Sequence, residues 1–359
     1  SASSGVLRPA TNNTLSLGSV TSSFADIYSS GTVQFVNASG SALELNKITN
    51  PTVVSSVPIS GLVKGTAVSG RYAYIVNGSV TSGLVVVDIA DPKYPAVATS
   101  VNLGTSLNDI VIQGSYAYVG GSAGFHALDI RNPSSPSSVG FINTGNTVAG
   151  IAVAGKYAYV VADTILTVVD ISNPTNLKQA ASVNVGTTVY SRVAVQGAYL
   201  YTVDDTDGIQ VFDITDPTHP VLLSSVLGAG DANSGVYVSG KYLYLAAGQE
   251  GLQVIDISNP YNAVSKSLTP TSDGTHDITV AGKLAYIADE DFFTVFNIAS
   301  STNPTLVASI PLSNSFEVTA AGKYAYVGRI GQWSIVDLQG ADIASAHIGS
   351  LQSNQLTVL

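Results

Sequence analysis

The sequence predicts an all-β chain: a ring of seven four-stranded blades, closed by its own N-terminal strand and flanked by short β-rich segments. Three observations predict it. A Gly-x-Tyr-type element returns seven times, beginning at Gly70, Gly114, Gly155, Gly197, Gly240, Gly282 and Gly322, at intervals of 40 to 44 residues. Each copy alternates apolar and polar residues, is rich in Val, Ile and Tyr, and has no helical period. Glycine punctuates every copy, and an Asn-Pro or Asp-Pro corner all but the last, as turns between short strands require. A four-stranded unit of about 42 residues is the period of a propeller blade, in which radial repetition leaves only short, protected edges.

Each blade is built from four recognisable pieces. The innermost strand is the Ile/Val/Ala run ahead of the glycine, as in Ile151-Ala152-Val153. The second strand carries the tyrosines, as in Gly155-Lys156-Tyr157-Ala158-Tyr159. The third is a short apolar strand closed by an acid, such as Leu84-Val85-Val86-Val87-Asp88, Leu166-Thr167-Val168-Val169-Asp170 and Leu252-Gln253-Val254-Ile255-Asp256; Asn297 ends the sixth copy and Asp337 the seventh. The fourth follows a proline corner such as Asp91-Pro92, Asn132-Pro133 or Asn259-Pro260. These corners are offset by one from the glycines. Asn50-Pro51 precedes every Gly-x-Tyr, whereas the last copy has Gln339-Gly340-Ala341-Asp342 where its corner belongs. The segment from Ile48 to Ile59 is therefore expected to supply the outer strand of the last blade.

The repeat resembles the LVIVD-repeat family of β-propellers, named for a strand like Leu84-Val85-Val86-Val87-Asp88. The resemblance spans roughly residues 46–345 and all seven copies. It implies the propeller fold and brings no common activity to particular residues. The propeller domain is placed at 46–342.

Residues 1–45 lie outside the repeat and are rich in Ser, Thr, Asn and Gly. Asn13-Thr14-Leu15-Ser16-Leu17-Gly18, then Phe24, Asp26-Ile27-Tyr28 and Gly31, resemble a short module of bacteriophage tail fibres and similar appendages, with Phe24 where a tryptophan is frequent. That resemblance implies three-fold assembly. An isolated hairpin is marginal in water, so such a segment must pack on the propeller or on copies of itself. Residues 343–359 resemble entry into a fibre stalk and end on the apolar Leu356-Thr357-Val358-Leu359, so the chain is expected to continue or be cleaved there.

Composition excludes several functions. Charged residues are 11% of the 359 and apolar ones 45%, against about 25% charged in an ordinary domain, so the chain is packed rather than disordered. Its net charge of −10 argues against a nucleic-acid partner. Without cysteine there are no disulfides, thiolate metal sites or thiol nucleophiles. No apolar run reaches the roughly 18 residues of a membrane span.

The chemistry-bearing positions are few. Propellers usually place ligands at the axial mouth, and the residue five before each glycine gives Gly65, Asp109, Gly150, Arg192, Gly235, Asp277 and Glu317. Asp109, Arg192, Asp277 and Glu317 are thus the candidate ligand-binding residues, with Lys64, Asn108, Ser191, Ser234 and His276 just before the ring. Carboxylates converging there are of the kind that hold a hard cation such as Ca2+ or hydrogen-bond a sugar; the bland alternative is a guanidinium neutralising its neighbours around a water-filled channel. No cofactor is expected. Asp204-Asp205-Thr206-Asp207-Gly208 and Asp289-Glu290-Asp291 are expected to be acidic turns, since an EF-hand needs a further glutamate and flanking helices. Gly120-Gly121-Ser122-Ala123-Gly124 matches a nucleophile elbow but falls between two strands rather than at a strand-to-helix turn. The histidines, at 126, 219, 276 and 347, lack metal-ligand spacing. The repeated tyrosines are expected to fill space between blades, leaving Tyr94, Phe125, Tyr190, Tyr237, Tyr261, Phe316 and Trp333 as recognition aromatics.

The expected function is that of a non-enzymatic, extracellular fibre or appendage protein, in a virion tail fibre or on a cell surface. It would form a homotrimer and display the propeller as a host-surface or glycan-recognition head. The alternatives are a purely structural filament-decorating subunit, and an enzyme acting on a polysaccharide or lactone through the axial ring.

Overall fold

The computed structural model describes residues 51–79, 83–184, 190–204, 208–226 and 235–338. The fibre-like segments 1–45 and 343–359, the Asp205-Thr206-Asp207 turn, Ser234 and His347 lie outside them. Among the described residues there are strands and no helix. Blade 2 shows the pattern: Leu107–Gln113, Tyr116–Gly121, Gly124–Asp129 and Ser137–Ile142 pair antiparallel in sequence order. Blades 3, 4 and 5 repeat it as separate four-stranded sheets.

Blades 6, 7 and 1 are joined by long strands that pass from one blade to the next. Thr305–Ala321 is the outer strand of blade 6 and then the innermost strand of blade 7. Thr52–Ser69 pairs first with Tyr324–Asp337 of blade 7 and then, beyond a register break between Pro58 and Leu62, with Tyr72–Asn77 of blade 1. Residues 52–58 therefore are the outer strand of the seventh blade, as the corner offset requires. The innermost strands contact one another in order, and that of blade 7 contacts that of blade 1.

The core lies between blades rather than inside them. Among the described residues there are seven apolar clusters, each joining one face of a blade to the opposite face of the next. Side chains alternate across a strand, so a blade has two apolar faces and buries both. The tyrosine four residues after each repeat's glycine (Tyr74, Tyr118, Tyr159, Tyr201, Tyr244, Tyr286 and Tyr326) is 1–4% exposed and stands in one of these interfaces. Burial raises each of these phenols, to about 12 for Tyr159, Tyr201, Tyr286 and Tyr326.

The turns explain the repeat's fixed residues. All seven Gly-x-Tyr glycines have φ between +59° and +62°, the conformation that tight hairpin turns demand and that a Cβ penalises. The acid closing each third strand caps the turn that follows. Asp88, Asp129, Asp170, Asp213, Asp256 and Asn297 each accept the backbone N–H two residues on, at 2.8–3.0 Å. The Asp or Asn before proline repeats the device in Asp91, Asn132, Asn173, Asp216 and Asn259, at 2.9–3.2 Å. Both are Asx-turns, in which a short side chain replaces a backbone acceptor. Outer-strand serines then reach across: Ser55 donates to the Pro92 carbonyl and Ser224 to that of Pro260, each at 2.6 Å.

Candidate functional site

The seven axial positions occupy one register. Gly65, Asp109, Gly150, Arg192, Asp277 and Glu317 pair with Val76, Gly120, Val161, Val203, Ala288 and Gly328 of their second strands. Gly235 takes the same place in blade 5 by accepting the Ala246 N–H. Just before the ring position the pairing slips at Lys64, Asn108, Ala149, Ser191, His276 and Phe316. Such bulges re-aim side chains and are frequent beside functional sites.

The ring carboxylates point along the ring, toward the next blade. Asp109 accepts the Ile151 N–H of blade 3 at 2.6 Å and, with its other oxygen, the Ile110 N–H at 2.8 Å. Asp277 accepts the Val318 N–H of blade 7 at 3.0 Å. Glu317 takes the Thr66 hydroxyl of blade 1 at 2.8 Å, and that hydroxyl accepts the Trp333 indole N–H at 3.1 Å. This last chain spans the seam between blades 7 and 1. The ring glycines mark where the tangential direction is blocked: a Cβ on Gly235 would stand 2.2 Å from Asp277 Oδ1 and 2.5 Å from its Cα, and one on Gly150 would stand 3.1 Å from Arg192 Cα.

Burial raises all three carboxyls. Asp109 is pushed up to about 6, Arg192 pulling against the desolvation. Asp277 is also raised by burial. Glu317 is raised furthest, first by burial and then by the charge of Asp277. Arg192, from blade 4, acts on Asp109 of blade 2, Asp277 of blade 6, Glu317 of blade 7 and Lys64 of blade 1. Arg192 is thus coupled electrostatically to groups of four other blades. Its guanidinium also reaches the Ala149 carbonyl of blade 3, at 3.4 Å. The four candidate residues are thereby coupled to one another across the ring.

Their arrangement is that of a buried charge network more than an open acid–base pair. Each carboxylate joins two blades through backbone N–H or hydroxyl groups, and among the described residues no three His, Cys, Asp or Glu are placed to hold a metal. Nearer the mouth, Asn108 donates to the Val148 carbonyl at 2.8 Å, and the His276 and Phe316 rings lie 4.4 Å apart.

Residues 60–103, 105–144, 145–185, 190–228, 229–267, 274–310 and 314–342 match the LVIVD repeat. The chain belongs to the LVIVD-repeat family. Solved structures share the fold of this LVIVD propeller at low identity. A chain in the crystal structure of the mitotic checkpoint complex is 10% identical, with a TM-score of 0.64 over 86% of this chain and 99% of that one. The computationally designed Ika8 protein is also 10% identical, with a TM-score of 0.58 over 78% of this chain and 97% of its own. No curated protein matches.

Other expected sites of the LVIVD propeller resolve differently. Ser122 sits in the two-residue hairpin between Gly121 and Gly124, and its hydroxyl bonds Thr105 Oγ1 at 2.7 Å, so the elbow motif is a β-turn. Asp289-Glu290-Asp291, expected to be an acidic turn, instead lies within the continuous strand Leu284–Asn297, where Asp289 is buried and accepts the Thr294 hydroxyl and the Asp273 N–H. Trp333 and Phe125, expected among recognition aromatics, are fully buried between blades. Period-two alternation gave them the same face as core residues, a signal that their irregular place in the repeat obscured. Tyr94 and Tyr261 are 80% and 67% exposed at the proline corners. Lys64 sits at the register slip one residue before the ring position of blade 1.

Proposed function

We propose that this LVIVD propeller is a rigid recognition head of an extracellular fibre or appendage protein, assembled as a homotrimer through its flanks. One observation carries the head reading: the three axial carboxylates are committed to joining neighbouring blades. A ring locked at its centre holds its mouth residues in fixed relative positions, which lowers the ordering cost of binding. The fibre setting is supported by the resemblance of residues 7–33 to tail-fibre modules and by the low charge of 11%. On this reading the varied side chains at the mouth, and not the repeated ones, meet the partner on a cell surface.

The test is the mass of the intact chain in solution, together with adsorption to candidate host cells. A particle of three 36.8 kDa chains that adsorbs is the expected result. A monodisperse 36.8 kDa monomer that binds no cell refutes the proposal.

A further inference from the structure

The corners between third and outer strands share one frame, and blade 2 departs from it. The stretch from the closing residue to the start of the outer strand is nine residues long after Asp88, Asp129, Asp170, Asp213, Asp256 and Asn297. Its third residue is Ala90, Ser172, Thr215, Ser258 or Ala299 in five blades and Arg131 in blade 2. Its seventh is Tyr94, Asn176, His219, Asn262 or Asn303 in five blades and Ser135 in blade 2. One position gains a long cation and the other loses a large side chain. Turn geometry asks for neither change, since Asp129 and Asn132 make the same Asx-turns as their counterparts.

With these two residues blade 2 forms an open hollow of about 390 Å3, within the size range of small-molecule sites. Asp129, Arg131, Asn132, Ser135 and Ser137 line it. Asp129 and Ser137 stand directly opposite each other on neighbouring strands, so both side chains present to one face. Arg131 Nε donates to both Asp129 oxygens, at 3.0 and 2.9 Å, and Nη2 donates to Oδ2. These bonds hold Asp129 below the usual carboxylate range, so the hollow carries one cation, one anion and no net charge. Asn132 Oδ1 accepts the Ser134 N–H at 3.2 Å. Among the described residues, Asn132 Nδ2, Arg131 Nη1 and the hydroxyls of Ser135 and Ser137 make no hydrogen bond.

We propose that this corner of blade 2 binds a neutral sugar, held through its hydroxyls by Arg131, Asn132, Ser135 and Ser137. A sugar hydroxyl both donates and accepts, as the two serines do, while guanidinium and amide supply further donors in fixed directions. The absence of net charge favours an uncharged ring over an acidic or a basic one. A lining without an apolar side chain favours a polyhydroxylated ligand over the apolar kind that most pockets take. The fork on Asp129 fixes Arg131 before the ligand arrives, so less side-chain freedom is lost on binding. The site lies at the turn end of its blade, apart from the axial mouth. It rests on the recognition-head reading for its use, but not for its chemistry.

The experiment is saturation-transfer NMR on the full chain with methyl α-mannoside, methyl β-galactoside and methyl β-glucoside, and with glucuronate as the charged comparison. At least one neutral glycoside is expected to bind with a Kd of about 1–10 mM, more tightly than glucuronate. Ser135→Tyr, which brings in the residue that blade 1 carries at this place, should fill the hollow and weaken that binding about tenfold or more. Arg131→Ala, again the blade 1 residue, should weaken it to a similar degree. Both positions are exposed and the Asx-turns do not depend on either side chain; thermal melting of each variant checks the fold. No binding of any of the three glycosides up to about 50 mM, tighter binding of glucuronate, or full binding by either folded variant overturns the proposal. A trimer that adsorbs to cells and binds no glycoside defeats this site alone. A monomer that adsorbs to none, yet binds a glycoside that Ser135→Tyr displaces, defeats the fibre reading and leaves the site standing.

Discussion

The two ends of the blades use carboxylates in opposite ways. At the turn end, Asp88, Asp129, Asp170, Asp213 and Asp256 are near the surface and do the same thing in each blade: cap the turn that follows. Their hydrogen bonds, to Arg71, Arg131, Ser172, Thr215 and Ser258 in turn, hold each below the usual carboxylate value. At the axial end, Asp109, Asp277 and Glu317 share a register with three glycines and an arginine, are buried, and are raised. Repetition at one end and variety at the other separate what the fold requires of every blade from what this chain adds to some. A turn acid is needed wherever a third strand ends. The axial carboxylates meet different groups of the next blade: Asp109 and Asp277 a backbone N–H, Glu317 the Thr66 hydroxyl.

Three measurements would break or sharpen that contrast. The largest effect belongs to Gly235→Ala. Its Cβ would overlap Asp277 Oδ1 and Cα, and because backbone is involved the neighbour cannot simply rotate away; overpacking of this kind costs about 1–3 kcal/mol. Chemical denaturation should show that loss, whereas Gly145→Ala, with open space around its Cβ, should show only the smaller strain of a positive φ. Unchanged stability of Gly235→Ala would mean that the axial side chains do not point tangentially.

An intermediate effect is expected at the turn end. Asp170→Ala removes the acceptor of the Ser172 N–H, and a lost hydrogen bond of this exposed kind costs about 0.5–1.5 kcal/mol. Asp256→Ala should cost about the same, because the turns are equivalent; a much wider difference between the two would deny the equivalence.

The third measurement is the pH slope, and here the ends differ in sign. Asp109 holds its proton up to about 6 in the folded chain, while an unfolded aspartate releases it near 3.9. Between those values the folded state binds more protons, so stability from this group is full below about 4 and is lost as pH rises toward 6. The turn aspartates are depressed, so their contribution is present above about 4 and is lost as pH falls below it. Denaturation midpoints measured from pH 3 to 8 should therefore pass through a maximum between about 4 and 5. Asp109→Asn should flatten the decline above that maximum, and an unaltered decline would remove Asp109 from the network.

The turn end was legible because each of its residues answers to a local rule. Gly155, Asp170 and Asn173 are fixed by dihedral angles and bonds within a few residues of themselves, and a repeat shows such rules seven times over. The offset of Asn50-Pro51 from the glycines likewise gave the closing strand, now seen in the pairing of Thr52 with Asp337. At the axial end the positions were legible and the directions were not. Asp109, Arg192, Asp277 and Glu317 were found by counting back from each glycine, but counting cannot say whether a carboxylate faces the channel or the next blade. Nor could it mark Trp333 as core, since its burial depends on Thr66, 267 residues away.

By itself the sequence determined the number of blades, the strands and turns within each, the seam that closes the ring and the four residues that meet at its axis. All of these follow from periodicity and from short-range backbone geometry. Only the tertiary structure decided what those four residues do. Partners from separate blades, about 40 residues apart in the chain, are brought within bonding distance by ring closure, as in Asp109 with Ile151 and Asp277 with Val318. Their burial, and with it their protonation, exists only once the seven innermost strands have converged, because desolvation is a property of the assembled centre and not of any single blade.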